Sequence, residues 1–357
     1  MVILHVARVR NYSLSGADVV VPEHIKVHQT LENVGFINIE NAKIDGIENQ
    51  FVYTGEFKII DLKEPFNKPD IIIFHQIYFT KYLTIAKQAK KLKIPYIIVP
   101  HGSLTREAQK IKSIKKIIGN LFFFNKFMNG ASAVQYLSDD ERNRTFRKYP
   151  CFVSTNGINL PSNQKENFNE DKIVFSYIGR YDTYVKGLDL LVNAIKEKEH
   201  FLRKNDCVFN FYGPYNEYYI ENINSLKDDI HRKGLLDIVS INGPVFGEEK
   251  IKTLLNTDIF IQCSRTEAMP MGILEAMSYG VPCLITKGTS LTGVIDKYDA
   301  GWSCETNVDA IANAIENAIL QRRFLKQKSQ NATNLIKQGF LWDNVAKEAL
   351  ENYKNFI

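Results

Sequence analysis

Nine strand-length apolar runs separated by helix-period segments constrain this chain more than any other feature. They lie at 2–6, 71–74, 96–99, 133–137, 173–178, 208–212, 238–241, 258–262 and 282–285. Runs that are apolar on both faces suit strands covered by helices on either side. Between two of them, Leu188, Leu191, Val192 and Ile195 fall at i, i+3, i+4 and i+7, one face of a helix. This alternation builds parallel sheets from βαβ units and excludes all-α and all-β folds. The chain is 357 residues long, which favours two such domains. The break falls near 156–171, where Asn156-Gly157-Ile158-Asn159 is a turn signal and 161–171 holds one large apolar residue, Phe168.

Composition narrows the class further. At 45% hydrophobic and 24% charged, the chain matches an ordinary globular protein. No apolar run approaches the roughly 18–20 residues that span a bilayer, and Met1 leads straight into a strand-like run without a signal-peptide pattern. Five cysteines are scattered without a CxxC pair, so reduced thiols and a cytoplasmic setting are expected rather than a disulfide framework or a zinc knuckle. Residues 1–150 hold 22 Lys and Arg against 14 Asp and Glu; the remainder holds 23 against 26. A basic first half points to an anionic surface or substrate. Nothing resembles a nucleic-acid recognition motif, so no nucleic-acid partner is expected.

Several chemistries lack their motifs. There is no GxGxxG after the first run, no GxxxxGK[ST], no HExxH, no GxSxG and no Asp-x-Asp. Anionic substrate charge must then be managed by the chain's own cations and amides. The segment 263–282 is the best candidate. It leaves a buried strand at Cys263, crosses a loop carrying Glu267, enters a helix near Pro270, and returns through Gly280-Val281-Pro282. Glu267 would sit at the carboxyl end of a parallel sheet, where such sheets bind ligands. Glu275 would follow one to two turns into the helix, and the helix start between the two carboxylates could receive a phosphate.

Glu267 and Glu275, with a Pro-x-Gly stretch between them and strand, helix and Gly-x-Pro around them, resemble the E-x7-E motif of glycosyltransferase family 4. The resemblance covers most of the chain from Ile173 onward and is thinner before it. It implies the GT-B fold, an α/β arrangement of two Rossmann-like, doubly wound parallel-sheet domains facing across a cleft. The domains implied are an acceptor-side domain over 1–160 and a nucleotide-sugar domain over 161–339. The helix of about 340–357, with Trp342, resembles the family's final helix, which packs back onto the first domain.

The resemblance also implies a site. Gly179-Arg180 and Lys186-Gly187 resemble the family's diphosphate clamp, Gly16 the N-terminal glycine loop, and His101 in Pro100-His101-Gly102 the histidine facing the donor sugar. Gly243-Pro244-Val245 resembles the loop that meets the nucleobase. Ala268 and Met269 replace the commoner Gly and Phe; because Pro270 has no N–H, Met269, Met271 and Gly272 are left to supply backbone donors. Implied roles are catalytic for Glu267, Arg180, Lys186 and His101. Donor binding falls to Gly16, Gly179, Val245, Met269, Met271, Gly272 and Glu275. No metal and no cofactor are expected. The implied activity is retaining hexosyl transfer from a nucleoside-diphosphate sugar, UDP favoured, to a glycan or lipid-linked saccharide. A nucleotide-sugar epimerase of the same fold, a phosphorylase carrying pyridoxal phosphate, and a non-catalytic sugar-nucleotide-binding protein are the rivals.

One segment adds a partner. Residues 105–129 carry Arg106, Lys110, Lys112, Lys115, Lys116 and Lys126 against Glu107 alone, interleaved with Ile111, Ile114, Ile117, Ile118 and Leu121 at helical spacing. A basic amphipathic helix beside phenylalanines is an interfacial element when its apolar side faces lipid and an ordinary surface helix when that side faces a core. The interfacial reading adds an anionic membrane surface at the inner face of the cell membrane. It also favours a polyprenyl-diphosphate-linked acceptor, as in bacterial capsule or exopolysaccharide assembly.

Overall fold

The computed structural model describes residues 1–10, 16–40, 42–110, 113–146, 148–168 and 171–357. It divides into two compact units, Met1–Gly157 with Trp342–Ile357, and Ile158–Leu341.

The first unit holds a seven-stranded parallel sheet. Its strands are β1 (Val2–Ala7), β2 (Asn33–Asn38), β3 (Gln50–Val52), β4 (Ile71–His75), β5 (Tyr96–Val99), β6 (Ala133–Tyr136) and β7 (Cys151–Val153), in the spatial order 3-2-1-4-5-6-7. The order reverses between β1 and β4, where Leu4 pairs with Ile72 and His5 with Ile73. Side chains of the central strands, including Leu4, Val6, Ile72, Phe74 and Ile98, are buried. The C-terminal helix Trp342–Lys354 belongs to this unit. Trp342 and Tyr353 are buried, and Tyr353 donates to Gln135 Oε1 at 2.7 Å.

The second unit repeats the plan with six parallel strands. These are β8 (Ile173–Ile178), β9 (Cys207–Tyr212), β10 (Val239–Asn242), β11 (Ile259–Gln262), β12 (Cys283–Thr286) and β13 (Gly301–Cys304), in the order 10-9-8-11-12-13. Phe175 of β8 pairs with Phe209 of β9, and their rings stack 4.5 Å apart. The switch point lies between β8 and β11. Both units are therefore Rossmann-like, and ligands of such sheets bind outside the carboxyl ends of the strands at the switch point.

Four strands escape the apolar pattern: β2, β3, β7 and β13. β3 and β7 are three residues each, and β2 carries Gly35 because a Cβ there would come within 2.8 Å of Phe66 and 3.1 Å of Leu4. The 105–129 segment also differs from a single helix. Its described parts are helices Arg106–Lys110, Ser113–Gly119 and Asn125–Asn129, with a π-helical turn at Asn120–Phe124. Ile111 and Lys112 lie outside the described residues, as does Ser15 beside Gly16.

Candidate functional site

The carboxyl ends of β8 and β11 bring the second unit's predicted residues together. β8 runs into Gly179-Arg180, and β11 into Cys263 and the loop bearing Glu267. Gly187 explains how the two loops approach. It sits at φ +63°, and a Cβ there would lie 2.0 Å from the Cys263 carbonyl oxygen, so only glycine fits. Gly187 caps the helix Leu188–Glu197, and its neighbour Lys186 forms an ion pair with Glu267. The two side chains are only 12% and 16% exposed. Glu267 Oε1 also accepts from Ser264 Oγ at 2.9 Å and Gln262 Nε2 at 3.1 Å. The loop is held from the far side: Glu267 N donates to the Gly288 carbonyl at 2.8 Å and Ser290 Oγ to the Glu267 carbonyl at 2.9 Å.

The helix that follows is Met271–Ser278, and Pro270 is its N-cap rather than part of its first turn. Ile273 N bonds back to the Pro270 carbonyl, which leaves the amides of Met271 and Gly272 as the helix's first donors. Gly272 packs toward the end of β8, where a Cβ would stand 3.5 Å from the Ile178 carbonyl. Met269 is buried and Gly272 is partly buried. Glu275, one turn into the helix, pairs with Lys250 from the helix Gly247–Leu255. Arg180 is partly buried and donates to Tyr219 Oη at 3.3 Å, while its carbonyl accepts from Tyr177 Oη at 2.6 Å. Val245 follows β10, with its side chain buried.

The first unit places the other two candidates. Gly16 opens the helix Gly16–Gln29, and among the described residues a Cβ there would meet no atom within 4 Å. Among the described residues no packing demands glycine at this point. His101 follows β5 in the left-handed region, φ +49°, with Gly102 at φ +79° beside it. Such a conformation in a non-glycine residue stores strain and needs support. Glu141 supplies it. This buried carboxylate accepts from Gly102 N at 2.5 Å and from Leu137 N at 2.8 Å. Burial raises its pKa to about 7 against the pull of those amides and of Arg144. On the other side, His101 Nε2 meets His75 Nδ1 at 3.1 Å.

Sequence reasoning missed several partners. Ser264 lies inside the quoted frame, but nothing in its spacing marks it as a donor to Glu267. Arg265 grips Asp189 through two contacts of 2.7 Å, which ties the Glu267 loop to the helix after Gly187. Lys250, Tyr219, Glu141 and His75 reach the candidates from remote segments. Among the described residues no group of three or more His, Cys, Asp or Glu is placed to hold a metal ion.

Comparison with known proteins fits this geometry. Residues 161–335 match the family of glycosyl transferases group 1. The chain is 27% identical over 206 residues to an uncharacterized glycosyltransferase of Methanocaldococcus jannaschii, covering 55% of this chain and 50% of that protein. It is 32% identical over 85 residues to the Escherichia coli UDP-Gal:alpha-D-GlcNAc-diphosphoundecaprenol alpha-1,3-galactosyltransferase, covering 24% of this chain and 22% of that one. The matches thus span half the length or less of these curated relatives. Anabaena Alr3699/HepE, solved in complex with UDP and glucose, aligns with a TM-score of 0.74 at 16% identity over 99% of this chain and 100% of that chain. Likeness at that identity shows the shared GT-B fold. The chain therefore has two Rossmann-like domains of GT-B type and carries, over 161–335, a group 1 glycosyl transferase domain.

Proposed function

We propose that this chain is a retaining, metal-independent glycosyltransferase. It moves a hexosyl group from a nucleoside-diphosphate sugar, UDP favoured, to a glycan or lipid-diphosphate-linked acceptor. The observation that carries the reading is the pairing of Lys186 with Glu267 at the carboxyl ends of β8 and β11, beside the first amides of the helix Met271–Ser278. A diphosphate arriving there meets a lysine, Arg180 and free helix amides; the sugar meets a carboxylate already fixed by two donors.

In the reaction, negative charge grows on the β-phosphate as the anomeric C–O bond breaks. Arg180, Lys186 and the Met271 and Gly272 amides stabilise that charge, the electrostatic task that metals perform in other enzymes. Gly16 and Gly179 let backbone approach the phosphates, and Met269 shapes the entry to the helix. Glu275 accepts from the ribose hydroxyls and Val245 lies by the nucleobase. Glu267 and His101 hold the donor sugar, with Glu267 opposing the positive charge at the anomeric carbon. UDP in the Anabaena complex and the UDP-galactose donor in the name of the E. coli relative support the choice of donor.

The diphosphoundecaprenol acceptor in that same name supports a lipid-linked acceptor here, in cell-surface polysaccharide synthesis at the cytoplasmic membrane face. Ile114, Ile117, Ile118, Leu121, Phe122 and Phe123 favour the membrane, since all are between 53% and 73% exposed. Their apolar side does not enter the unit's core, and exposed Arg106, Lys110, Lys115 and Lys126 lie among them. Each basic residue near an anionic surface adds about 1 kcal/mol. No described helix is long and apolar enough to cross a membrane.

A panel of nucleotide sugars tests the donor, scored by thermal stabilisation and by turnover in excess chelator. Stabilisation by a UDP-sugar and chelator-resistant transfer to an added acceptor are expected. Donor consumption without acceptor would mean an epimerase, and binding without turnover a non-catalytic protein. Activity lost in chelator and restored by magnesium would overturn the metal-free mechanism. Flotation tests the membrane: binding to anionic vesicles should weaken with salt and on replacing Lys112, Lys115 and Lys116 by Glu. Equal recovery with neutral vesicles would remove it.

A further inference from the structure

Five of the chain's seven histidines form one line of ring contacts in the first unit. His24 Nε2 meets His28 Nε2 at 3.1 Å, and His28 Nδ1 meets His5 Nε2 at 3.2 Å. His5 Nδ1 meets His75 Nε2 at 2.9 Å, and His75 Nδ1 meets His101 Nε2 at 3.1 Å. The line starts on the helix Gly16–Gln29, crosses the switch point between β1 and β4, and ends after β5. Trp342 stacks over His24 at 5.7 Å, and Tyr353 stands edge-on to His28.

Burial, deep for His5, His24, His28 and His75 and partial for His101, keeps these rings neutral. His24 is pushed down to about 3 and His101 to about 4, and His5, His28 and His75 fall well below the ordinary histidine value. A neutral imidazole has one N–H and one bare nitrogen. Each of the four contacts needs one proton: two would repel, and none would set two buried lone pairs against each other. Three internal rings use both nitrogens in the line, so once one ring's tautomer is chosen, all the others follow.

We propose that the five histidines form a single tautomeric unit whose sense decides whether His101 Nδ1 presents a proton or a lone pair. In one sense His24 carries its proton on Nε2 and the other four on Nδ1, so His101 Nδ1 is a donor. In the other sense His24 carries it on Nδ1 and the other four on Nε2, so His101 Nδ1 is an acceptor. Passing from the first to the second takes four proton hops, one proton lost from His101 Nδ1 and one gained at His24 Nδ1. His24, His28, His5 and His75 are thereby positioning residues for His101. Their bearing on sugar transfer rests on the proposed assignment of His101 to the donor sugar.

Two-bond 1H–15N correlation spectra of the full chain labelled with 15N-histidine test this at neutral pH. One shared sense along all five rings is expected. A mixed sense overturns the proposal, including a pattern in which His28 turns its proton toward the Ala346 carbonyl, whose influence raises that ring's pKa against burial. The variant His24→Met gives a second readout. A thioether only accepts, so His28 must carry its proton on Nε2 and His101 must follow, three rings away. A His101 proton on Nδ1 in folded His24→Met overturns the unit; where that variant fails to fold, the unaltered chain's spectrum decides. A shared sense together with normal turnover of His101→Ala supports the unit and removes only His101 from the sugar site. A mixed sense with impaired His101→Ala overturns the unit and leaves that site in place.

Discussion

Lys186 and Glu267, 81 positions apart in the chain, meet as an ion pair where β8 and β11 end. Their partly buried charges neutralise each other, and Glu267 keeps Ser264 and Gln262 as further donors. An incoming diphosphate competes for the lysine without leaving the carboxylate bare, because two neutral donors remain on it. Lys186→Ala should therefore lower kcat by about 10²–10³, the usual loss of one charge-stabilising donor. Circular dichroism should show an intact fold. Near-normal turnover by the folded variant would mean that Lys186 does not face the leaving phosphate.

Glu275 behaves differently because it is proposed to bind the ribose rather than the reacting atoms. Its pair with Lys250 leaves both side chains more than a quarter exposed, so the pair contributes little to stability. Glu275→Ala should raise the donor KM by about 10–100-fold, the range of a lost hydrogen bond to a charged group, with a smaller change in kcat. Steady-state kinetics with saturating acceptor would separate the two. A kcat loss at unchanged KM would move Glu275 to the reacting centre.

Gly187→Ala should destabilise the second unit. The substitution meets both a left-handed φ of +63° and the Cys263 carbonyl at 2.0 Å, and backbone cannot yield as a side-chain tip can. A cost of about 2 kcal/mol or more corresponds to a Tm lower by about 4–8 °C for a unit of this size. Calorimetry would read it. An unchanged Tm would show that the two loops can separate freely.

The buried histidines should make the first unit sensitive to acid. Each has a folded pKa below its unfolded value, so its contribution is fully present above about pH 6.5 and is lost as pH falls toward the folded value. The slope is about 1.4 kcal/mol per histidine per pH unit. Glu141 has the opposite sign. Its raised pKa of about 7 means stability is lost as pH rises from about 4.5 to 7, but one carboxyl offsets only one of five imidazoles. Urea midpoints at pH 7.5 and 5.5 should fall sharply between the two, and less so in His24→Gln. Equal midpoints would mean that the rings are hydrated in the folded state.

Much of the fold is legible from short-range pattern. Runs such as 173–178 and 258–262 are apolar on both faces because both faces are covered, and β8 and β11 lie there. β2 and β13 are not legible in that way. Asn33-Val34-Gly35-Phe36 and Gly301-Trp302-Ser303-Cys304 are strands because neighbours pair with them, and Gly35 and Gly301 serve close packing rather than strand propensity. The site divides similarly. Glu267 and Glu275 can be read from one continuous frame, whereas Lys250, Tyr219 and Arg265's partner Asp189 come from other segments and leave no mark at fixed spacing.

By itself the sequence determined the α/β class, the two-part organisation and the frame that carries Glu267 and Glu275. Helix and strand periodicities are local, and a turn such as Asn156-Gly157 acts through its own backbone. Only the tertiary structure decided which face of 114–123 meets solvent, since amphipathic spacing is the same whether the apolar side enters a core or leaves it. It also decided that five histidines scattered between positions 5 and 101 stand in one line. Their meeting depends on β1 lying between β2 and β4 and on one helix crossing above that point, and strand order is a property of the whole sheet that no spacing along the chain records.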